Sequence, residues 1–146
     1  MATIKIHHFK LSVMDMDRSI AFYRDLLGLK LLYDAHRKDI PSYDTIIGYK
    51  NVELRVAGFD GNGCMLCLMQ YLNPPMQDRT QDNYLQGAAG LAIQVEDIDA
   101  DYARLTAAGV TSRSKPVEIV RDGKAVAKAC YMHDPDGVTV ELYQPL

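Results

Sequence analysis

Two polar residues stand where the sequence predicts strands with one polar and one apolar face. His8 shares a face of the strand predicted from Ile4 to Val13 with Lys10 and Ser12, and the opposite face is apolar. Glu141 lies between two apolar residues of the last predicted strand, where a carboxylate is costly unless it is paired, hydrogen-bonded or hydrated. Both are therefore expected to face a cavity, where they could act as general base or acid.

The cysteines offer a second kind of chemistry. Cys64 and Cys67 form a CxxC motif, which is typical of a redox pair or half a zinc site. The run CMLCLMQYL, however, reads as a strand, in which residues three apart point to opposite faces. That geometry disfavours both readings. With Cys130 the chain has an odd number of cysteines and no pattern of a secreted disulfide framework, so we expect a cytoplasmic protein.

The elements that position these residues form a repeat. Val13 aligns with Val95 at a shift of 95 − 13 = 82 residues, which also aligns Asp15 with Asp97. Each copy predicts a strand, an Asp-rich turn and an amphipathic helix that ends at glycine. Strands follow each helix, so one supersecondary unit is used twice. The same shift places Gly90 opposite His8.

The finer predictions follow from local signals. In the first unit Asp17 is expected at the helix start and Gly28 at its end, and Pro41 is expected to break the next strand. In the second unit a helix is expected from about Asp99 to Ala108. We predict one domain, 1–146, with unit one at 4–72, unit two at 90–146 and a polar connection at 73–89 acting as a lid or wrap.

Composition excludes two classes of partner. The net charge of −3 comes from interspersed signs without a basic stripe, so nucleic acid is an unexpected partner. No apolar run approaches the ~20 residues that span a bilayer, so no membrane partner is expected. With 48% hydrophobic residues the chain can bury a continuous core.

Three segments carry a family resemblance: HFKLSVMDMDRSIAFYRDLLGL, GLAIQVEDID and HDPDGVTVELYQP. Together they resemble the vicinal oxygen chelate (VOC) superfamily, which includes glyoxalase I, methylmalonyl-CoA epimerase, extradiol dioxygenases and bleomycin-resistance proteins. The resemblance implies an α+β fold of two tandem βαβββ units, whose curled mixed sheets enclose a ligand cavity. It also implies a homodimer that binds a small molecule.

In metal-dependent members of that superfamily, the first and last strands of each unit supply the ligands of a divalent metal. The resemblance places His8 and Glu141 at two of these positions. The other two depart from the pattern, because Cys67 occupies one and Gly90, which has no side chain to donate, occupies the other. We therefore expect no cofactor or a weakly bound divalent metal such as Zn, Ni, Mn or Co.

The sequence leaves more than one kind of metal site open. His8, Cys67 and Glu141 could form a tetrahedral zinc site with one open position. Extradiol chemistry is disfavoured, because its iron site needs a second histidine where Gly90 stands. The remaining residues expected to line the cavity are Lys10, Ser12, Met65, Met69, Tyr71, Gly90, Gln94 and Tyr143.

Two classes of function follow. The first is an enzyme, a lyase or isomerase of the glyoxalase I or epimerase type that uses His8 and Glu141 as metal ligands, or as acid and base with an incomplete metal site. The second is a binding protein that sequesters a partly apolar molecule without catalysis, as the bleomycin-resistance branch does. Soft apolar side chains such as Met65 and Met69 suit a partly apolar, oxygenated ligand in either case.

Overall fold

The chain forms two compact units that repeat one arrangement of strands. A computed structural model describes residues 3–146. The first unit extends to Arg79, and the second runs from Thr80 to Leu146. Each contains one mixed four-stranded sheet, in the orders β1-β4-β3-β2 and β5-β8-β7-β6. This confirms the α+β class and the tandem βαβββ units.

The first unit begins with a strand, continues through a helix and ends with three strands, as expected. Its first helix widens into a π-helical turn at Ala21–Leu26 before Gly28 ends it with φ +74°. The elements are β1 His8–Ser12, α1 Met16–Ile20, β2 Leu31–Arg37, α2 Pro41–Ile47, β3 Glu53–Asp60 and β4 Met65–Asn73.

Two predictions for the first unit were wrong in detail. The first strand spans His8–Ser12 and does not begin at Ile4. Pro41 does not merely end a strand, because it occupies the first turn of α2, where its missing N–H costs nothing. The extra helix matters for function, since it lies against the sheet face that carries the cavity.

The second unit repeats the strand–helix–strands order without an extra helix. Its elements are β5 Gly90–Gln94, α3 Ile98–Ala107, β6 Val117–Arg121, β7 Lys124–His133 and β8 Thr139–Pro145. The pairings also repeat, because β1 runs parallel to β4 and β5 runs parallel to β8. Among residues 3–146, no helix is long and apolar enough to cross a bilayer.

The two helices start with the same polar contacts. The side chain of Asp15 accepts a hydrogen bond from the Arg18 N–H, and the side chain of Asp97 accepts one from the Ala100 N–H, both at 3.0 Å. Asp15 is therefore the N-cap, and Asp17 is a first-turn acid. A second acceptor completes each start: Gln70 Oε1 receives the Met16 N–H at 3.2 Å, and Gln144 Oε1 receives the Ile98 N–H at 2.9 Å.

The helices bury one face of each sheet. Where the first helix and its π-helical turn pack on the sheet, Tyr23, Phe59 and Leu68 are fully buried. The Tyr23 and Phe59 rings pack with centroids 6.0 Å apart. This apolar layer leaves the opposite face of the first sheet available to a ligand.

Ser19 is a polar exception within this layer. Its side chain is fully buried, and its hydroxyl has no hydrogen-bond partner within residues 3–146. A buried hydroxyl that loses its hydrogen bonds to water and gains none in the protein destabilises the folded state. We therefore expect Ser19→Ala to raise the free energy of unfolding by about 1 kcal/mol. Urea denaturation would measure the change.

Ser42→Ala in the exposed face of α2 is the matched control, since it supplies the same gain in helix propensity without removing a buried hydroxyl. A Ser19→Ala protein less stable than the parent would show that the hydroxyl is satisfied.

Candidate functional site

The first sheet carries a cavity of about 310 Å³ on the face opposite α1. Alternating residues of all four strands supply its floor and sides, because strand side chains point to one face at every second position. Helix α2 closes one side. The lining residues are His8, Lys10, Tyr33, Arg37, Tyr43, Ile46, Ile47, Leu54, Val56, Cys67, Met69 and Tyr71.

The cavity floor is apolar and closely packed. Leu54 is fully buried, and Val56, Cys67 and Met69 are each 8% exposed. Tyr43, Ile47 and Tyr71 pack against this cluster from its edges. A concave apolar floor with polar groups at its rim is the usual form of a small-molecule site.

One row of residues crosses the sheet at the cavity. Lys10 pairs with Cys67, Cys67 with Gly58, and Gly58 with Tyr33. A Cβ built on Gly58 would lie 2.3 Å from Tyr33 Cε1, so the tyrosine ring lies over the glycine. The Tyr33 hydroxyl is consequently 3.7 Å from the Cys67 sulfur. Glycine at position 58 thus places a phenol in the cavity.

The Tyr33 hydroxyl stays protonated at neutral pH. Burial, followed by the hydrogen bond with Cys67, raises the pKa of Tyr33 from its ordinary value of 10.0 to about 12. Burial also raises the pKa of Tyr71. Both phenols are therefore neutral and able to donate a hydrogen bond to a ligand oxygen.

This shift predicts a pH dependence. Because the folded-state pKa of Tyr33 lies above the unfolded one, its contribution to stability is present below pH 10 and is lost as the pH rises to about 12. We expect an ultraviolet titration of the parent minus that of Tyr33→Phe to show one tyrosine ionising near pH 12. Tyr84→Phe is the control, since Tyr84 is 83% exposed; equal curves for the two variants would contradict the prediction.

His8 is held by its neighbour in sequence. The Nδ1 atoms of His7 and His8 are 2.8 Å apart, so one of them carries the shared proton. His7 precedes β1, which begins at His8, so strand alternation does not hold its side chain on the opposite face. When Nδ1 of His8 donates this hydrogen bond, its Nε2 presents a lone pair for a proton or a metal.

The second sheet carries its own cavity, of about 380 Å³. Among its described lining residues Glu141 is the one carboxylate, and it is half-buried. The lining residues are Asn83, Ala88, Ala89, Gly90, Leu91, Ala92, Tyr131, Thr139 and Glu141. This wall combines a carboxylate with neutral polar groups, so its character differs from that of the first cavity.

The connection between the sheets supplies part of this second cavity. Thr80 Oγ1 donates to the Asp136 carbonyl at 2.7 Å, and Thr139 Oγ1 donates to Asn83 Oδ1 at 2.6 Å. Asp82 forms an ion pair with Arg113. Residues 80–89 are thereby fastened to the second unit, where Asn83 enters the cavity wall.

Strand register tests the equivalence between Cys67 and Glu141. Cys67 pairs with Lys10 in the first sheet, and Glu141 pairs with Ala92 in the second. Lys10 and Ala92 are related by the 82-residue shift of the repeat. Cys67 and Glu141 thus occupy corresponding positions of the two units.

The residues predicted from sequence fall into three groups. His8, Lys10, Cys67, Met69 and Tyr71 come together in the first cavity. Glu141 and Gly90 line the second. The remaining four lie outside both cavities, with Met65 packed beside the floor of the first: Ser12, Met65, Gln94 and Tyr143.

Sequence reasoning missed several lining residues. Residues 33, 35 and 37 stand at every second position of β2, so a period of two could have placed Tyr33 and Arg37 on one face. Tyr43 and Ile47 were missed because α2 was not predicted. Asn83 carried no signal, since its position depends on contacts with a distant strand.

The metal-ligand types do not converge within either unit. The part of the chain from residue 3 onward contains no group of three or more His, Cys, Asp or Glu side chains placed to hold one ion. In the first unit His8 is joined only by Cys67, whose sulfur contacts Tyr33. In the second, Glu141 pairs with Ala92 on the neighbouring strand β5, where Gly90 also lines the cavity, and neither residue has a side chain that could bind a metal. Neither set fits a resident metal by itself.

Comparison with known proteins identifies the family. The model of the Glyoxalase/Bleomycin resistance protein/Dioxygenase superfamily matches residues 5–142. The chain therefore belongs to this superfamily, as its residues indicated.

Named relatives and a solved structure agree with this membership. A lactoylglutathione lyase from Haemophilus influenzae is 30% identical over 145 residues, which covers 97% of this chain and 93% of the relative. Human mitochondrial methylmalonyl-CoA epimerase is 26% identical over 147 residues, covering 96% and 73%. The glyoxalase family protein of Bacillus cereus has the same fold, with a TM-score of 0.86 at 22% identity, covering 99% and 96%.

Proposed function

We propose that this chain is a glyoxalase-like VOC protein that binds a small, partly apolar oxygenated metabolite and acts on it. The cavity of the first unit is the observation that carries the proposal. Its volume lies within the range of small-molecule sites, its floor is apolar, and neutral phenols stand at its edge. His8 is the candidate acid or base in this cavity, and Glu141 is the candidate in the second unit.

The relatives support catalysis over sequestration. The names lactoylglutathione lyase and methylmalonyl-CoA epimerase both refer to acyl thioesters. A lyase or isomerase reaction next to a carbonyl is therefore the reaction class that we propose. Binding without turnover, as in bleomycin resistance, is the second candidate, and it is supported by the fact that no three ligand side chains converge within residues 3–146.

A ligand screen with a blocked variant tests the proposal. We expect oxygenated metabolites, with lactoylglutathione and methylmalonyl-CoA among the first probes, to raise the melting temperature of the parent but not of Val56→Phe, which fills the cavity floor. Val120→Phe is the matched control, because Val120 is 58% exposed and lies in β6. Stabilisation that survives Val56→Phe would show that the cavity is not the binding site.

Product analysis of the stabilising ligands then separates the two functions. A rate of turnover that is lower in His8→Ala and in Glu141→Gln than in the parent would support the catalytic function. Ligands that bind tightly and are recovered unchanged would support sequestration. The expected homodimer is also a proposal, and light scattering of the purified protein would test it.

The metal content of the purified protein distinguishes a weakly bound metal from a tightly bound one. We propose that a divalent ion is bound weakly or not at all, since Gly90 and Cys67 replace two of the family's ligand positions. Protein purified without chelator is expected to carry less than one equivalent of Zn, Ni, Mn or Co. Gly90→His has room for its Cβ, which would lie 3.5 Å from the Thr139 carbonyl, and is expected to raise metal affinity. Stoichiometric metal in the parent that is lost on His8→Ala would overturn this part of the proposal.

A further inference from the structure

The charges around the first cavity all have one sign. Lys10 and Arg37 are its permanent cations. None of the lining residues is an aspartate or a glutamate. A ligand in this cavity would therefore experience a positive potential from two edges of the sheet, because β1 and β2 are its outermost strands.

The neighbouring carboxylates are already engaged elsewhere. Asp34 accepts two hydrogen bonds from Arg55, at 2.9 and 2.7 Å, and Asp17 pairs with Arg55 at 2.8 Å. Glu53 pairs with His36 and Lys38, at 2.8 and 3.3 Å. These acids neutralise the cations outside the cavity and leave those inside it unneutralised.

Among residues 3–146, Lys10 and Arg37 have no acidic partner. In the described part of the chain, no carboxylate forms an ion pair with either side chain. The Arg37 guanidinium makes a long hydrogen bond, 3.5 Å from Nη1 to the His36 carbonyl. Both cations can therefore bind a ligand without breaking an existing ion pair, so little free energy is lost in freeing them.

The apolar floor increases what these charges contribute. Leu54, Val56 and Met69 exclude water beneath the ligand, and electrostatic attraction is stronger where the local dielectric is low. The protonated Tyr33 hydroxyl adds a neutral donor to the same face. Two cations, a donor and an apolar floor together suit a molecule with an anionic head and a flat apolar body.

We propose that the ligand of the first cavity is an organic anion, with a carboxylate or phosphate group held by Lys10 and Arg37 and an apolar body on the floor formed by Leu54, Val56 and Met69. This inference rests on the proposed function and narrows its ligand class. It assigns Lys10 and Arg37 as specificity-determining residues.

Calorimetric titration with a matched pair of probes tests the inference. 2-Naphthoate and 2-naphthamide share one apolar body and differ in charge. We expect the parent to bind naphthoate at least about tenfold more tightly, since a hydrogen bond to a charged group contributes on this scale. Lys10→Met and Arg37→Met should each reduce that preference severalfold and leave naphthamide binding unchanged, which also reports that the cavity is intact.

Lys30→Met is the control, because Lys30 is an exposed cation of the same unit outside the cavity. Phenyl phosphate against phenol is the second arm and separates a phosphate ligand from a carboxylate one. Equal affinities for the charged and neutral probes, or a preference that survives both cavity substitutions, would overturn the inference while leaving the cavity as a ligand site. If none of the four probes binds, the inference fails, and the proposed function fails only if the metabolite screen shows no ligand that is sensitive to Val56→Phe.

Discussion

Phe59→Ala is expected to lower the free energy of unfolding by about 3–5 kcal/mol. Phe59 is fully buried between the first sheet and α1, and its ring packs on the buried ring of Tyr23. Truncation removes this contact and leaves a cavity that β3 and β4, each paired on both sides, cannot close. Urea denaturation followed by circular dichroism would measure the loss.

The neighbouring Phe9 provides a matched control. Phe9 and Phe59 both pair with Leu66, one from each side, so they share a face of the same sheet. Phe9 lies on the edge strand and is 43% exposed. Phe9→Ala should therefore cost about 1 kcal/mol or less, because half-exposed apolar area contributes less on burial. Similar losses for the two variants would show that burial does not determine the stability of this layer.

The contrast between these two phenylalanines illustrates what the sequence could predict. Alternation along β1 correctly placed Phe9 on the apolar face, because the direction of a side chain is a local property of a strand. Its exposure depends on the place of β1 at the edge of the sheet, which is set by pairing with β4, more than fifty residues away. Local pattern therefore predicted the face but not the burial.

The two-unit fold could be predicted because the same sequence pattern occurs in both halves of the chain. The shift of 82 residues relates Asp15 to Asp97, and the structure shows both as N-caps with the same hydrogen bond. The glutamine contacts that complete the helix starts were not predicted, since Gln70 and Gln144 reach the helices from the last strand of each unit. Contacts between distant segments carry no local signal.

The candidate site was predicted in part for the same reason. His8, Lys10 and Cys67 were found from alternation and from the resemblance to a family. Arg37 was missed, although its charge decides the proposed ligand class, because the side of β2 that faces the cavity depends on pairing with β3. Helix α2 was missed because proline is both a helix breaker and a favoured residue of the first helical turn.

The two units share one arrangement of strands but differ in the side chains that line their cavities. Lys10 corresponds to Ala92, and Cys67 corresponds to Glu141, so the first cavity carries cations and a thiol where the second carries a methyl group and a carboxylate. The extra helix covers only the first. The two sheet faces therefore differ in charge and in covering, so the residues of one unit do not predict those of the other.

Gly58→Ala is the second change with a large expected effect, and it acts on the site. The new Cβ would lie 2.3 Å from Tyr33 Cε1 and 3.0 Å from the Met65 sulfur, so the Tyr33 ring must leave its place over the sheet. Overpacking of this kind costs about 1–3 kcal/mol. The loss of the phenol from the cavity, and its separation from Cys67, is expected to weaken ligand binding about tenfold, as the removal of one well-placed hydrogen bond does.

Gly90→Ala is the matched control for this effect. Gly90 is also a strand glycine without a left-handed backbone, and a Cβ there would meet the Thr139 carbonyl at an ordinary 3.5 Å. We expect Gly90→Ala to change stability by less than about 1 kcal/mol. Tyr33→Phe separates the two consequences of Gly58→Ala, because it removes the hydroxyl and leaves the ring in place. The prediction would be wrong if Gly58→Ala bound ligand as tightly as the parent while Tyr33→Phe did not. The Tyr33 hydroxyl would then still reach the cavity without glycine at position 58, and this glycine would contribute to stability alone.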